Sequence, residues 1–408
     1  MRILHTADWH LGKRLENFSR IPEQEDVLDE ICDIAEQQQV DAVLIAGDLF
    51  DTFNPSTEAI ELFYKTVKRL ANNGQRAVLA IAGNHDSPER IEAPDPLARE
   101  CGIIFAGFPN TVVKPFSIKN GIEITKSDVG FLELKLPLSD FPLRLLLTPY
   151  ASELRLKSFL GTEDPDAALR TLLQQHWQHL ATAYCDDQGV NMMMAHLYLM
   201  KKDAPAPDEP EEEKPILHLG GAQAVYSENI PSQMQYVALG HLHRKQLIDT
   251  VPCRVMYSSS PLAYSFSEAN QQKFVILIDA SPALPVSYIE VPLQKGKRLL
   301  RFRTENMEEA VEWLSNHHDA LVELTMVTDD FLTAEQRKQL NAVHPAIINI
   351  IPELKRKEST GRETIITPDI TKNINELFVE YFNQQKGQQP NENMLNLFKE
   401  VLAAEENL

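Results

Sequence analysis

Five short segments bring together residue types that hold hard or borderline metal ions. They are Asp8-Trp9-His10, Gly47-Asp48, Gly83-Asn84-His85-Asp86, His196 and Gly240-His241-Leu242-His243. Carboxylate, imidazole and amide oxygen are a donor set for two divalent ions, because one carboxylate can bridge both while neutral imidazole nitrogens fill the remaining positions. Sulfur is missing from every segment, which disfavours a structural zinc site and favours manganese over iron or magnesium. Two such ions, about 3.5 to 4 Å apart, would polarise a phosphoryl group, acidify a shared water and keep attacking and leaving oxygens in line. The expected chemistry is hydrolysis of a phosphoester with no covalent intermediate. A lone Asp-x-His or His-x-His pair is ordinarily a satisfied surface or core pair. Five blocks in order, each at the end of an expected strand, carry more weight.

A frame is needed to aim those loops into one crevice. Over the first hundred residues apolar runs alternate with amphipathic stretches, so strands are expected at 3–7, 42–46 and 77–82 and helices at 22–39 and 56–73. Asn73-Gly74 supplies the stop for the second helix. Nearly all-apolar strands between amphipathic helices indicate a mostly parallel sheet buried on both faces. Ligands in such sheets sit at the carboxyl ends of the strands, where Asp8, Asp48 and Asn84 fall. Beyond about residue 110, strands at 143–147, 191–195, 236–239 and 273–278 and a helix at 165–184 point to a second sheet packed on the first, with helices outside. Residues 201–215 hold four prolines and many acids without apolar periodicity, which predicts a mobile acidic loop. Composition shifts again at 292–296. A helix at 308–316 and a strand at 321–327 mark a small module, and helices at 369–384 and 393–404 follow it.

Composition bounds the function. The chain has 408 residues, 43% apolar and 24% charged, a globular mixture with room for domains of about 100 to 200 residues each. Its apolar runs fall far short of the roughly 18 residues that span a bilayer. Asp8, His10 and Lys13 interrupt the N-terminus where a secretory signal would be apolar. A cytoplasmic protein with no membrane partner is expected. The net charge of -20 repels polyanions at long range and excludes a free-standing nonspecific DNA coat protein. A nucleic-acid substrate would need metal ions, a local basic patch or a partner to offset that field. Lys13, Arg14, Arg20 and Arg90 lie near the motif loops and are candidates for phosphate contact. The cysteines are scattered and suggest neither a disulfide framework nor a thiolate zinc site. No phosphate-binding Gly-x-x-x-x-Gly-Lys-Ser/Thr run occurs, so any coupled nucleotide hydrolysis belongs to another chain. Trp9 reads as packing beneath the metal ligands.

At these blocks the sequence resembles the calcineurin-like metallophosphoesterase superfamily, whose Asp-x-His, Gly-Asp, Gly-Asn-His-Asp/Glu, His and Gly-His-x-His pattern is present in order. The opening Met-Arg-Ile-Leu-His-Thr-Ala-Asp-Trp-His-Leu-Gly, with the Ala-Gly-Asp-Leu-Phe-Asp and Ala-Leu-Gly-His-Leu-His runs, is similar to the SbcD-type branch. That branch comprises bacterial DNA exonuclease subunits related to the eukaryotic double-strand-break repair nuclease. The resemblance covers residues 1 to about 265 and rests beyond that on domain order. It implies an α/β fold, a two-sheet αββα sandwich with a small α+β capping domain and C-terminal helices. The implied division is a nuclease domain at 1–290, a cap at 291–355 and a helical segment at 356–408 docking on a coiled coil. It further implies that Asp8, His10, Asp48 and His243 hold one ion and that Asp48, Asn84, His196 and His241 hold the other, Asp48 bridging. His85 would contact the scissile phosphate and assist the leaving oxygen, and Asp51 would orient it. The implied activity is a manganese-dependent double-strand exonuclease and single-strand or hairpin endonuclease. An SbcC-type coiled-coil ATPase would be its partner, DNA ends and hairpins its substrates, and a homodimer within a heterotetramer its assembly. Two other readings stand beside it: a phosphatase or cyclic-nucleotide phosphodiesterase, which the C-terminal additions disfavour, and a noncatalytic metal-bound scaffold, which His85 disfavours. One departure is Ser259, where relatives commonly have Gly before Ser-Pro.

Overall fold

Strands that read as apolar throughout are buried throughout. The computed structural model describes residues 1–156, 164–207, 224–329 and 332–354, with single positions or short pieces at 377–379, 382, 390, 394, 395 and 398. A six-stranded sheet runs in the spatial order Ser287–Pro292, Phe274–Asp279, Arg2–Thr6, Ala42–Ile45, Ala77–Ile81 and Ile103–Ala106. Its four strands from Arg2–Thr6 onward are parallel, and Phe274–Asp279 joins them antiparallel. A seven-stranded sheet is ordered Gln246–Asp249, Arg254–Tyr257, Tyr236–Gly240, Val190–His196, Leu143–Thr148, Phe131–Lys135 and Glu123–Asp128. The parallel strands at its centre are Leu143–Thr148, Val190–His196, Tyr236–Gly240 and Arg254–Tyr257.

The two sheets face each other. Ile3, Leu44, Leu79, Leu145, Met192, Met194 and Ala238 share the core between them. Successive side chains of a strand point to opposite faces, so Met193 leaves that core and packs instead with Leu173 and Trp177 of the helix Pro165–Tyr184. On the other side, Leu28 and Ile31 of Ile21–Gln37 and Phe63 and Val67 of Thr57–Ala71 cover Leu4, Val43 and Ile45. This is the expected αββα sandwich. The helix ends follow their local chemistry. Ser56 and Asp164 accept the backbone N–H groups of Ala59 and Ala167, capping donors that the first turn leaves without partners. Asn72 ends the second helix in the left-handed region at φ 45°.

The small module alternates strand and helix: Leu299–Thr304, Met307–Ser315, Leu321–Thr328, Ala334–Val343 and Ile347–Leu354, with all three strands parallel. Its core gathers Ala310, Leu314, Val322, Leu324 and Leu340. Met1–Leu354 forms one unit and the remainder a second. Most of the two expected C-terminal helices and the acidic stretch from 208 lie outside the described residues. Of those described, Phe378 stacks on Phe398 with ring centroids 4.0 Å apart. No described helix is long and apolar enough to cross a membrane.

Candidate metal centre

Every motif loop leaves the same edge of the two sheets, and backbone hydrogen bonds brace the loops against one another. Asp8 N–H donates to Gly47 O at 3.0 Å and His10 N–H to Asp48 O at 2.9 Å. Non-glycine residues seldom adopt positive φ, yet Asp8 (56°), His10 (43°), Asp48 (47°) and His241 (108°) all do. Backbone strain at four residues of three converging motif loops is the mark of a site whose side-chain directions matter more than local comfort. Two glycines make the close approach possible. A Cβ on Gly47, itself at φ +89°, would lie 2.2 Å from His196 Nδ1, and one on Gly83 would lie 2.1 Å from Asp48 Oδ1.

The predicted ligands converge. Asp8, His10 and His243 present donor atoms within 4.8 Å of one another, and so do Asp48, His196 and His241. Asp48 Oδ2 lies between the groups, 3.5 Å from His10 Nε2 and 3.4 Å from His196 Nε2. Asn84 Oδ1 completes the second group, 3.0 Å from His196 Nε2 and 2.9 Å from His241 Nδ1. In the first, His10 Nε2 faces His243 Nε2 at 2.9 Å. His196 donates from Nδ1 to Ala46 O at 2.9 Å, which leaves Nε2 pointing inward.

The residues fit a cation pair. Asp8 Oδ2 is buried and has no hydrogen-bond partner among the described residues, an arrangement that costs free energy unless something positive approaches. Burial pushes His10 down to about 4 and His241 to about 3, so both are the neutral donors that metal coordination requires. Burial opposes charge at His196 too, but Asp48 and Asp8 outweigh it and hold the ring at about 8. Burial likewise works against the Asp48 carboxylate, and the surrounding His196 and His10 still hold it well below the usual range. The crevice thus favours positive charge at its centre.

His85 stands beside this cluster, its ring 4.8 Å from that of His10. The resemblance implies that Asp51 would orient it; its Nδ1 donates to the main-chain carbonyl of Asp51, at 2.9 Å. The Asp51 carboxylate instead meets Lys13 Nζ at 3.0 Å and His10 Nδ1 at 3.6 Å. The basic candidates separate. Arg20 is fully buried, paired with Glu23 at 2.9 Å and bonded to Ala263 O; it braces the fold and cannot reach a phosphate. Arg14 and Arg90 are exposed, and Arg90 holds Asn54 Oδ1 at 2.7 Å. Trp9 is buried against Phe63, with its indole N–H on Thr6. Ser259 sits at φ 92°, a glycine-favouring angle, and its Oγ accepts the Phe274 N–H at 3.0 Å.

Three supports lay outside the sequence reading. Asp86, pushed up to about 7 by burial, accepts the N–H groups of Leu49, Phe50 and Gly83 and so ties two motif loops together. Arg155 donates to the carbonyls of Gly83, Asn84 and Asp86 at 2.7, 3.2 and 2.8 Å. Glu268 is buried 3.6 Å from His243 Nδ1 and ion-paired with Lys273, which also donates to His243 O at 2.9 Å. Asp86 is the last residue of the Gly83-Asn84-His85-Asp86 block, where the sequence reading assigned it no role of its own. Arg155, Glu268 and Lys273 carry no local signal.

Two helix-flanked sheets with clustered carboxylate, imidazole and amide donors on loops at one edge define a metal-dependent phosphoesterase. The calcineurin-like phosphoesterase family matches residues 1–245, and the chain belongs to it. More particularly, it is similar along its whole length to the SbcD subunit of the SbcCD nuclease of Bacillus subtilis (strain 168), at 36% identity over 414 residues covering 100% of this chain and 99% of that one. The SbcD subunits from Rhodobacter capsulatus and Escherichia coli (strain K12) are 34% and 29% identical. They cover 72% and 94% of this chain and 69% and 92% of their own.

Proposed function

We propose that the chain is a manganese-dependent DNA nuclease that cuts duplex ends and opens single strands and hairpins, using two ions. The observation that carries this reading is the position of Asp48 Oδ2, 3.5 and 3.4 Å from the inward nitrogens of His10 and His196. Asp8, His10, Asp48 and His243 would hold one ion, and Asp48, Asn84, His196 and His241 the other. When bound, the ions supply charge neutralisation for a phosphodiester and acidify a water. His85 does the chain's own proton work. With Nδ1–H fixed on Asp51 O, Nε2 is the nitrogen left for the leaving oxygen, and the doubly protonated ring would give its Nε2 proton to that oxygen and return to the neutral Nδ1–H form. The Asp86 and Arg155 contacts hold the His85 loop in register while this happens.

The full-length likeness to a nuclease component of an SbcCD complex supports an SbcC-type coiled-coil ATPase as partner and action in the cytoplasm on DNA ends. On this proposal the assembly is a homodimer within a heterotetramer, with 1–290 as nuclease, 291–355 as cap and 356–408 as the docking segment. The test is to assay the purified chain with manganese on labelled duplex DNA and on an aryl phosphate, with and without the ATPase. Cleavage of DNA that Asp48→Ala and His85→Gln both abolish is the expected result. Hydrolysis of the aryl phosphate alone would move the assignment to a phosphatase.

A further inference from the structure

Phe53 is 53% exposed at the rim of the metal crevice. It lies two residues beyond Asp51, whose carbonyl holds the His85 ring. Arg155 stands 6.0 Å from the centre of the Phe53 ring and 5.1 Å from that of Tyr150. The Tyr150 ring is in turn 6.4 Å from the rings of His196 and His241. Phe53, Arg155 and Tyr150 therefore form a continuous run from solvent to the second ligand group.

The run is rigid. Arg155 is buried and tied to three backbone carbonyls of the 83–86 loop. The Phe53 loop is pinned on either side, by Asp51 N–H on Leu11 O at 3.2 Å and by Asn54 Oδ1 on Arg90. Phe53 is thus held out in water, with a fixed guanidinium 6.0 Å from its ring centre. A fixed aromatic face beside a phosphate-cleaving centre is suited to one neighbour above others, the base of the nucleotide that flanks the phosphate. Every base has a π-face, so such a contact tolerates any sequence.

We infer that Phe53, backed by Arg155, is a stacking platform for the nucleobase adjoining the scissile phosphate. The inference rests on the nuclease reading and names how the substrate strand is held. It predicts that stacking, and not charge alone, seats a DNA end in a strongly acidic chain.

The test pairs substitution with substrate. On blunt duplex DNA with manganese, Phe53→Ala lowers kcat/KM roughly tenfold and Phe53→Trp retains it. On a duplex with abasic residues at the terminal positions of the cut strand, the unsubstituted chain falls by the same factor and Phe53→Ala loses nothing further. As a binding readout, 2-aminopurine at those positions is quenched by the His85→Gln chain and is not quenched once Phe53→Ala is added. Equal losses for Phe53→Ala on normal and abasic ends, or no loss on either, overturn the platform while leaving the nuclease reading intact. Failure of the unsubstituted chain to cut DNA overturns both.

Discussion

His85 is oriented by Asp51 through the backbone, its Nδ1 lying 2.9 Å from the Asp51 carbonyl oxygen, while the Asp51 side chain turns to Lys13 and His10. The two residues therefore separate under mutation. Asp51→Asn keeps the carbonyl and the histidine's orientation. What it removes is the carboxylate, which Lys13 and His10 hold down at about 2 against the effect of burial. The expected result is manganese affinity weaker by about tenfold, the size of a lost supporting contact to a ligand, with kcat at saturating metal close to the unsubstituted value. His85→Gln does the reverse, lowering kcat by about 10²- to 10⁴-fold with manganese affinity unchanged. Calorimetric manganese titration beside single-turnover cleavage distinguishes the two patterns.

Glu268 and Lys273 form a buried ion pair against His243. Burial disfavours the Glu268 charge, and Lys273 and His243 overcome it and hold the carboxyl well below its usual range. Lys273→Met leaves that charge uncompensated and is expected to cost about 3 to 5 kcal/mol of stability, read from urea unfolding. Glu268→Gln, which removes the charge but keeps the shape, is expected to loosen His243 and weaken metal binding by about 10- to 100-fold. A Glu268→Gln chain with undiminished manganese affinity would show that the pair serves the fold alone.

The difference between these supports and the ligands themselves explains what could be read in the sequence. Ligands sit in short blocks because a strand end and the tight turn after it must aim two or three side chains at once, as in Gly83-Asn84-His85-Asp86. The alternation of apolar strands and amphipathic helices likewise exposes the first sheet, and the helix expected at 165–184 is found at Pro165–Tyr184. Less regular pieces were hidden. Glu123–Asp128 is a half-exposed edge strand with little apolar signal. Ser287–Pro292 also lies at an edge, where Ile289 is exposed and Glu290 half-buried, so its burial does not follow its apolar pattern. Arg155 reaches three carbonyls some seventy positions away in sequence, a relation that only the folded chain creates. Arg20 shows the opposite error. Nearness in sequence to a motif loop suggested phosphate contact, and Glu23, three residues on, claims it inside the core.

Gly83→Ala tests the packing of the bridging carboxylate without touching a ligand. The added Cβ would lie 2.1 Å from Asp48 Oδ1 and 2.2 Å from the Asp48 backbone nitrogen, so Asp48 or the 83–86 loop must shift. Catalytic geometry lost by about 1 Å costs on the order of 100-fold in rate, and a loss of at least that size is expected here. Metal binding, followed by manganese titration, should fall with it. A Gly83→Ala chain of normal activity would mean that Asp48 has freedom which its contacts with His10, His196 and the His85 N–H argue against.

His5 supplies a pH dependence separate from the ligands. It is fully buried between the sheets, with Nδ1 3.0 Å from Tyr236 Oη and Nε2 3.1 Å from Leu239 O, and burial pushes its ring from 6.5 down to about 3. Below pH 6.5 the unfolded chain takes up a proton that the folded chain refuses. Stability from this group is therefore complete above pH 6.5 and is lost as pH falls toward 3, at about 1.4 kcal/mol per pH unit. His5→Gln removes the titration and keeps a polar side chain for the carbonyl. It is expected to be less stable at pH 7 by about 1 to 3 kcal/mol, the cost of disturbing a buried hydrogen-bonded group, yet to lose less stability on acidification. Urea unfolding of both chains with chelator at pH 7, 6 and 5 should give curves that converge as pH falls. Parallel curves would place the acid sensitivity of this fold elsewhere than at His5.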